Sequence, residues 1–305
     1  MAPKIDLDEY VRQVRVSMNL SNVRDEIIKK DLFLTLILAE FEKLGLGKEL
    51  IFKGGTLLSR NYLKYHRFSE DLDFVYRDSN SLRELTRANR ERKIKKFIDS
   101  FTPKLKEVAE ALGFEFNVDR SNTRFCTILH GRTVYTFRVY YSDSQYIKVE
   151  INFVEKMIDD PQEISVKAIT DFFDSQKLIF ALNLSYKNFN VLSYSLKEIT
   201  LEKYRAVLTR NRLAERDLFD LFLIKDAFKA DINEIVEKIK NSSLIKRELT
   251  KLISEKLALL QEGRFFEGEE RIEELVLLDY DKKEFEEFKD KIKPTLIEVC
   301  RKFLL

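Results

Sequence analysis

The stretch "FKGGTLLSRNYLKYHRFSEDLDFVY", Phe52–Tyr76, combines a glycine pair with two alternating carboxylates. Gly54 and Gly55 stand side by side in a chain of 305 residues that has only eight glycines. The apolar run "ELIFK" before them predicts a short strand, and "TLLSRNYLKY" after them predicts a helix. "DLDFVY", residues 71–76, predicts a second strand. The stretch therefore predicts strand, tight turn, helix and strand in succession.

A glycine pair between a strand and a helix suits a phosphate group. It lets the backbone turn tightly and leaves amide groups open to a closely approaching ligand. The helix N-terminus adds partial positive charge at the same place. Thr56 supplies a hydroxyl that can reach the same phosphate oxygens. Taken alone, the glycine pair is equally consistent with a plain turn.

The two aspartates that follow, Asp71 and Asp73, lie two residues apart on the predicted strand. Both therefore point to one face, roughly 6.5 Å apart along the chain, while Leu72 and Phe74 point into the core. Two carboxylates on one face repel each other unless a cation lies between them. Mg²⁺ is bound in proteins by one or two carboxylates together with substrate phosphates. A lone pair of this kind also fits a solvated strand edge, but next to the glycines it predicts phosphoryl or nucleotidyl transfer with two metals.

The rest of the first half mixes helical and strand patterns. Asp25–Gly45 predicts a buried amphipathic helix, and Ser81–Leu112 predicts a long charged helix in which Pro103 marks a candidate break. Further strands are predicted at four places: Phe114–Asp119, Arg124–Gly131, Arg132–Tyr141 and Tyr146–Glu155. The second and third of these form a hairpin that turns at His130 and Gly131. We therefore expect an α+β domain with a mixed sheet over residues 1–160.

Residues 161–305 predict a mainly helical domain, a bundle that follows the sheet. Phe172–Tyr194 mixes helix and strand patterns and allows no assignment. Five helices are predicted beyond it: Ser195–Arg210, Leu213–Phe228, Ile232–Lys240, Leu244–Glu262 and Glu284–Phe303.

The composition limits the class of protein. A hydrophobic content of 44% and a charged content of 35% predict a packed core rather than disorder. The net charge of +2 argues against a protein whose whole surface binds nucleic acid, although it allows a local basic patch. The two cysteines, Cys126 and Cys300, form no zinc or disulfide pattern. The N-terminus lacks the apolar core of a signal peptide, and no window reaches a membrane span, so we expect a cytoplasmic protein without a membrane partner.

A candidate third carboxylate lies in "YIKVEINF", where Glu150 stands between Val149 and Ile151. A phosphoryl-transfer site with two metals can take a further acid from a neighbouring strand, as a metal ligand or as the base for the attacking hydroxyl. Lys148 and Asn152 share the face of Glu150. From the residues alone, a polar outer face and a site are therefore equally consistent.

A basic segment, "RANRERKIKKF" (Arg87–Phe97), carries six cationic side chains on one predicted helix. Such a run is consistent with an ordinary solvated helix. It is also consistent with a surface that docks the phosphates of an RNA acceptor.

The glycines and aspartates carry a family resemblance. "GGTLLSRNYLKYHRFSEDLDF" resembles the signature of the nucleotidyltransferase superfamily with the DNA polymerase β-like fold. Within it, "FKGGTLLSR" followed by "RFSEDLDF" is similar to the AbiEii/AbiGii toxin family. "EKYRAVLTR" and "RDLFDL" resemble the second and third motifs of that family, so the likeness spans roughly residues 28–224.

The resemblance implies roles for particular residues. The implied Mg²⁺ ligands are Asp71, Asp73 and Glu150. The implied nucleotide-binding residues are Gly54, Gly55, Thr56, Ser69 and Lys203. By the same resemblance Lys203 contacts the phosphates and Asp217 lies beside the site and holds either Lys203 or a substrate group, whereas Arg216 and Asp220 fix two helices together. Spacing alone favours an ordinary structural role for these charged residues, as ion pairs on exposed helix faces.

The implied function is a Mg²⁺-dependent nucleotidyltransferase. It would move a nucleoside monophosphate from an NTP to an acceptor hydroxyl, by resemblance the end of a tRNA, as a toxin neutralised by a cognate antitoxin. Two alternatives stay open at this point. One is a nucleotidyltransferase with a small-molecule acceptor, and the other is a non-catalytic binding protein with the same fold.

Overall fold

The chain forms two compact units. A computed structural model describes residues 6–20, 23–176, 178, 189–242, 246–266, 276–277 and 280–305. The sheet unit comprises Met1–Val154 and Pro161–Ser193, and the helical unit comprises Glu155–Asp160 and Tyr194–Leu305. The predicted α+β fold class with a mixed sheet and a helical second half is confirmed. The sheet unit takes in residues beyond 160, where the sequence analysis placed the domain boundary.

In the described residues one sheet contains seven strands in the order β3-β4-β5-β2-β1-β7-β6. The strands are β1 (Leu50–Lys53), β2 (Asp71–Tyr76), β3 (Cys126–Leu129), β4 (Val134–Tyr140), β5 (Tyr146–Asn152), β6 (Gln162–Ser165) and β7 (Asn190–Ser193). Strand β2 runs antiparallel to β1 and parallel to β5, and β1 runs parallel to β7. The sheet is therefore mixed, and its last two strands come from a part of the chain that the sequence patterns did not assign to it.

Helices cover one face of this sheet. The α-helices given bounds among the described residues of the sheet unit are α1 (Leu7–Ser17), α2 (Asp25–Lys43), α3 (Gly54–Leu57), α4 (Ser79–Glu84) and α5 (Arg87–Ala111). Phe41 of α2 packs on Phe74 of β2 with ring centroids 5.8 Å apart. Phe101 of α5 packs on Phe137 of β4 at 5.4 Å. The apolar side of the sheet is thus buried under α2 and α5, and its other side carries the polar residues of β2, β4 and β5.

The predicted break at Pro103 is wrong, because Pro103 lies inside α5. The chain instead leaves the helical path at residues 85–86, between α4 and α5. Phe101 and Leu105 on either side of the proline are fully buried. Their packing stabilises the helix enough to offset the backbone hydrogen bond that proline cannot donate.

The strand predicted at Phe114–Asp119 is also wrong. Only Glu115 pairs with the sheet, through an isolated bridge to Tyr140. The side chain of Asn117 accepts a hydrogen bond from the backbone of Asp119 at 2.8 Å, a local turn that competes with strand pairing. The hairpin that follows is confirmed, since β3 pairs antiparallel with β4.

The helical unit confirms the five predicted helices within the described residues. They are α6 (Leu196–Thr209), α7 (Glu215–Ile224), α8 (Ile232–Lys240), α9 (Lys246–Glu262) and α10 (Lys282–Leu304). The predicted start of the fourth, at Leu244, lies outside the described residues. Lys238 is buried at the centre of this unit, with Nζ 2.6 Å from Glu198 and 3.0 Å from Glu155. None of the helices described is both long enough and apolar enough to cross a bilayer.

Candidate active site

The glycine turn, where β1 passes directly into α3, is made by Gly54 and Gly55, the first two residues of α3. Each glycine is required by a different neighbour. Gly54 has a φ of +83°, and a Cβ added there would lie 2.5 Å from Asp73 Oδ2. A Cβ on Gly55 would lie 2.6 Å from Arg67 Nη2 and 3.2 Å from Ser69 Oγ. The missing side chains therefore let the aspartate of β2 and the segment before β2 lie against the backbone of the turn.

Thr56, a predicted phosphate contact, makes a hydrogen bond within the protein. It is buried, and its hydroxyl donates a hydrogen bond of 2.5 Å to the backbone carbonyl of Asp71. This bond fixes the start of α3 to the start of β2. Thr56 therefore positions the glycine turn against the aspartate strand, and its contact with phosphate stays a prediction.

The three predicted acidic residues lie together on the polar face of the sheet. Asp71 and Asp73 alternate with the fully buried Leu72 on β2. Glu150 on β5 is the register partner of Asp73, on a parallel strand about 4.8 Å away. The structure thus brings together carboxylates that are some eighty residues apart in the sequence, and places them beside the glycine turn.

Lys148 lies among these carboxylates and is their main positive partner. It is the register partner of Asp71. Its Nζ lies 3.0 Å from Asp71 Oδ2 and 3.9 Å from Glu150 Oε2. Thr136 on β4 donates a weak hydrogen bond of 3.3 Å to the same Glu150 oxygen. The sequence analysis placed Lys148 on this face but gave it no role, and its position opposite Asp71 depends on a strand register that sequence does not show.

The electrostatics of the site raise the pKa of Asp73 to about 6. Burial is the largest cause, and the nearby negative charges of Glu150 and Asp71 act in the same direction. The ammonium groups of Lys148 and Lys53 oppose the shift and lower this pKa. Burial also acts to lower the pKa of Lys148, but the carboxylates around it raise that pKa above its ordinary value.

The donor set at this face fits a hard divalent cation in its chemistry, because it consists of carboxylate oxygens. As arranged here, no three acidic, histidine or cysteine side chains of the described residues converge on one metal-sized point. The Lys148 ammonium stands where a positive charge is required, beside Asp71. A metal ion would therefore take over the neutralising role of Lys148.

A second charged cluster lies within the helical unit and joins α6 to α7. Lys203 Nζ lies 2.8 Å from Asp217 Oδ1 and 2.6 Å from Asp220 Oδ2. Arg210 Nε lies 3.0 Å from the other oxygen of Asp217. All but Arg210 are buried. The two aspartates hold the lysine ammonium firmly, so the predicted contact between Asp217 and Lys203 is present.

A buried ion pair that the sequence patterns did not predict joins α2 to the helical stretch after the glycine turn. Arg60 lies in the π-helical stretch Leu58–Tyr62 that continues α3. Its guanidinium lies 2.7 Å from Asp31 Oδ1 and donates a hydrogen bond of 2.9 Å to Thr35 Oγ1. An aspartate inside the apolar run of α2 was the available signal, because a buried carboxylate requires a cationic or hydrogen-bonding partner.

Comparisons with known proteins give one family. A family model described as "Nucleotidyl transferase AbiEii toxin, Type IV TA system" matches residues 36–302. One similar solved structure is MenT4, a nucleotidyltransferase toxin from Mycobacterium tuberculosis H37Rv, with 16% identity, a TM-score of 0.45, and coverage of 96% of this chain and 98% of that one. Another is JHP933 from Helicobacter pylori, with 14% identity, a TM-score of 0.43, and coverage of 92% and 94%. No curated protein sequence matches.

Proposed function

This chain belongs to the AbiEii family of nucleotidyltransferase toxins, and from that premise we propose that it transfers a nucleoside monophosphate from an NTP to the terminal hydroxyl of an RNA, with tRNA as the acceptor and Mg²⁺ as the metal. Membership of a nucleotidyltransferase family sets aside the alternative of a non-catalytic binding protein. Beyond family membership, we propose the acceptor, the metal and the roles of the individual residues.

The observation that carries it is the juxtaposition of the glycine turn with three carboxylates on one sheet face. Gly54 lies against Asp73, and Asp73 lies opposite Glu150. Phosphoryl transfer requires little covalent chemistry from a protein, and it depends on positioning and on neutralising charge. A turn that accepts phosphates next to a set of carboxylates supports that chemistry.

In this mechanism the backbone of Gly54 and Gly55, together with Ser69, binds the triphosphate. Asp71 and Asp73 would hold Mg²⁺, with Glu150 as a third ligand or as the base. When bound, the metal neutralises the phosphate oxygens and lowers the pKa of the attacking hydroxyl. The acceptor oxygen forms a bond to the α-phosphorus, the bond from that phosphorus to the β-phosphate oxygen breaks, and pyrophosphate leaves. The proton of the attacking hydroxyl goes to Glu150 where that residue is the base, and to solvent where it is a metal ligand.

Lys203 and Asp217 are included because they lie in the two segments that resemble the family's second and third motifs. Lys203 is proposed to contact the phosphates of the nucleotide, with Asp217 and Asp220 fixing its ammonium. A lysine suits this role because its ammonium is a compact charge with three donors. The biological role we propose is that of a growth-arresting toxin in the cytoplasm, where NTPs and RNA are available, with an antitoxin as its partner.

The test is incubation of the purified chain with each labelled NTP, total RNA and Mg²⁺. We expect label in RNA, release of pyrophosphate, loss of both with EDTA, and restoration by added Mg²⁺. The Asp71→Ala variant is expected to fold and to transfer nothing. Label that appears only in small-molecule fractions would favour the alternative acceptor, and undiminished transfer by Asp71→Ala would refute the metal assignment.

A further inference from the structure

The polar face of β4 and β5 continues beyond the carboxylates as a surface of tyrosine and arginine. Tyr140, Arg138 and Tyr146 are partly exposed on this face. Their strand neighbours Val139 and Ile147 are fully buried on the other face. This alternation fixes the direction of the side chains, because successive residues of a strand point to opposite faces.

The aromatic and cationic groups of this surface touch one another. The rings of Tyr140 and Tyr146 lie with centroids 5.2 Å apart and planes at 52°. The Arg138 guanidinium lies 5.7 Å from the centroid of the Tyr146 ring, and the Arg124 guanidinium lies 4.4 Å from that of Tyr140. We call these four residues, Arg124, Arg138, Tyr140 and Tyr146, the tyrosine platform.

Hydrogen bonds hold the cations of the platform in place. Arg138 Nη1 donates to Thr127 Oγ1 at 2.9 Å, and Arg124 Nη2 donates to Glu115 at 2.9 Å. Planar groups held in this way are preorganised to stack, so little side-chain entropy is lost on binding. Aromatic rings with arginine beside them are the surfaces on which proteins stack unpaired nucleobases.

The platform lies next to the carboxylates by strand register. Arg138 is the partner of Lys148, and Lys148 is the partner of Asp71. Two steps of about 4.8 Å across the sheet therefore separate Arg138 from the aspartate strand. Within one sheet face, the reacting centre and the platform are adjacent.

We propose that the tyrosine platform is the subsite that stacks an unpaired nucleobase near the acceptor end of an RNA strand. This inference rests on the nucleotidyl transfer proposed above, and it adds a specific binding surface for the acceptor. The stacking rings would hold the end of the strand, and the two guanidinium groups would face its phosphates.

The sheet order favours the acceptor over the base of the NTP. The glycine turn follows β1, which borders β2 on one side, while β5 and β4 lie on the other side. The aspartates of β2 therefore lie between the triphosphate subsite and the platform. In-line transfer places the attacking and leaving groups on opposite sides of the phosphorus. The platform is on the side from which the acceptor must attack.

The basic residues of α5 are the competing surface. Arg87, Arg92, Lys93, Lys95 and Lys96 are exposed there, whereas Arg90 is used inside the fold and donates to the carbonyl of Leu82. Helix α5 packs on the apolar face of the sheet, through Phe101 and Phe137. An RNA end bound on α5 would therefore be separated from the carboxylates by the sheet itself.

The experiment compares two RNA hairpins, one with a short unpaired 3′ extension and one with a blunt end, without NTP or Mg²⁺. Fluorescence anisotropy is expected to show tighter binding of the extended hairpin. Tyr146→Leu is expected to weaken that binding about 5- to 100-fold, and Tyr146→Phe, which keeps the ring, is expected to leave it intact. In transfer assays Tyr146→Leu should raise KM for the RNA and leave KM for the NTP unchanged.

Arg138→Gln is paired with Arg12→Gln, which removes an equal charge from an exposed arginine of α1. Only Arg138→Gln should weaken RNA binding, and thermal unfolding of every variant checks that it is folded. Two results would contradict the proposed role of the platform. One is equal affinity for both hairpins, and the other is a loss of RNA affinity in Arg92→Gln but not in Arg138→Gln. If the wild-type protein prefers the extended hairpin but transfers no nucleotide, the proposed function is refuted and the platform is not. If Tyr146→Leu transfers nucleotide with an unchanged KM for the RNA, the platform is refuted and the proposed function is not.

Discussion

Asp73 and Glu150 lie directly opposite each other on the parallel strands β2 and β5. Their carboxylates share the polar face of the sheet, and burial raises the pKa of Asp73 to about 6. The site therefore lowers the stability of the metal-free protein, because negative charge is concentrated where solvent is partly excluded. This relationship connects the stability of the protein to the chemistry proposed for it.

Replacing Asp73 by asparagine is expected to stabilise the metal-free protein while abolishing transfer. The folded-state pKa of about 6 lies above the ordinary value of 3.8, so the fold disfavours the charged form. This group therefore contributes most to stability below about pH 4, and its contribution falls as pH rises through about 6. Urea unfolding at pH 8 with EDTA should show Asp73→Asn more stable by about 1–3 kcal/mol.

The gain of Asp73→Asn should shrink steadily between pH 6 and pH 4, where the wild-type carboxyl becomes protonated. Asp226→Asn is the control, since the side chain of Asp226 is 90% exposed and its replacement should change stability little at any pH. A variant that is less stable than wild type at pH 8 would contradict the unfavourable burial of the Asp73 charge.

Gly54→Ala is expected to damage the site through a specific contact. An alanine there meets both the φ of +83° and Asp73 Oδ2 at 2.5 Å. Gly113→Ala is the matched control, because Gly113 has a similar φ of +72° and nothing within 4 Å of its added Cβ. Both variants should lose about 1 kcal/mol from backbone strain.

In denaturant titrations only Gly54→Ala should lose more stability than backbone strain alone costs. Only Gly54→Ala should also lose nucleotidyl transfer activity. Equal losses of stability in the two alanine variants would show that the approach of Asp73 to the turn does not limit the residue at position 54.

Lys203→Met is expected to destabilise the protein by about 3–5 kcal/mol, since it leaves the buried carboxylate of Asp220 without its lysine. Adding Asp220→Asn to the same chain should recover part of the loss, because the buried carboxylate that lost its lysine then carries no charge. The control is Lys251→Met, whose side chain is 79% exposed and pairs with Glu255 at 3.8 Å. Its effect on the free energy of unfolding should stay within about 0.5 kcal/mol.

Both cysteine thiols are expected to resist modification in the native protein. Burial raises the pKa of Cys126 to about 11 and that of Cys300 to about 12, from an ordinary 9.0. The fold thus favours the neutral thiols, a contribution that is complete below about pH 9 and is lost as pH rises through these values. A chromogenic disulfide reagent at pH 8 should react with neither thiol in the native state and with both in denaturant. Rapid reaction of the native chain would contradict the burial of these groups.

The sequence by itself determined the local parts of this protein. The positions of β2 and α8 followed from apolar periodicity, which depends only on neighbouring residues. The position of Asp71 and Asp73 on one face also followed from the sequence, since residues two apart on a strand must share a face. The phosphate and metal chemistry that they suggest together with the glycine pair stays a prediction. The family motifs within the chain carried the rest of that prediction.

Only the tertiary structure decided which distant residues meet. The pairing of Glu150 with Asp73, the ion pair of Lys148 with Asp71 and the proximity of the tyrosine platform all depend on the order and register of the strands. The continuation of α5 through Pro103 likewise depends on the surface against which the helix packs. These features arise from contacts between segments far apart in the chain, and local propensity carries no information about them.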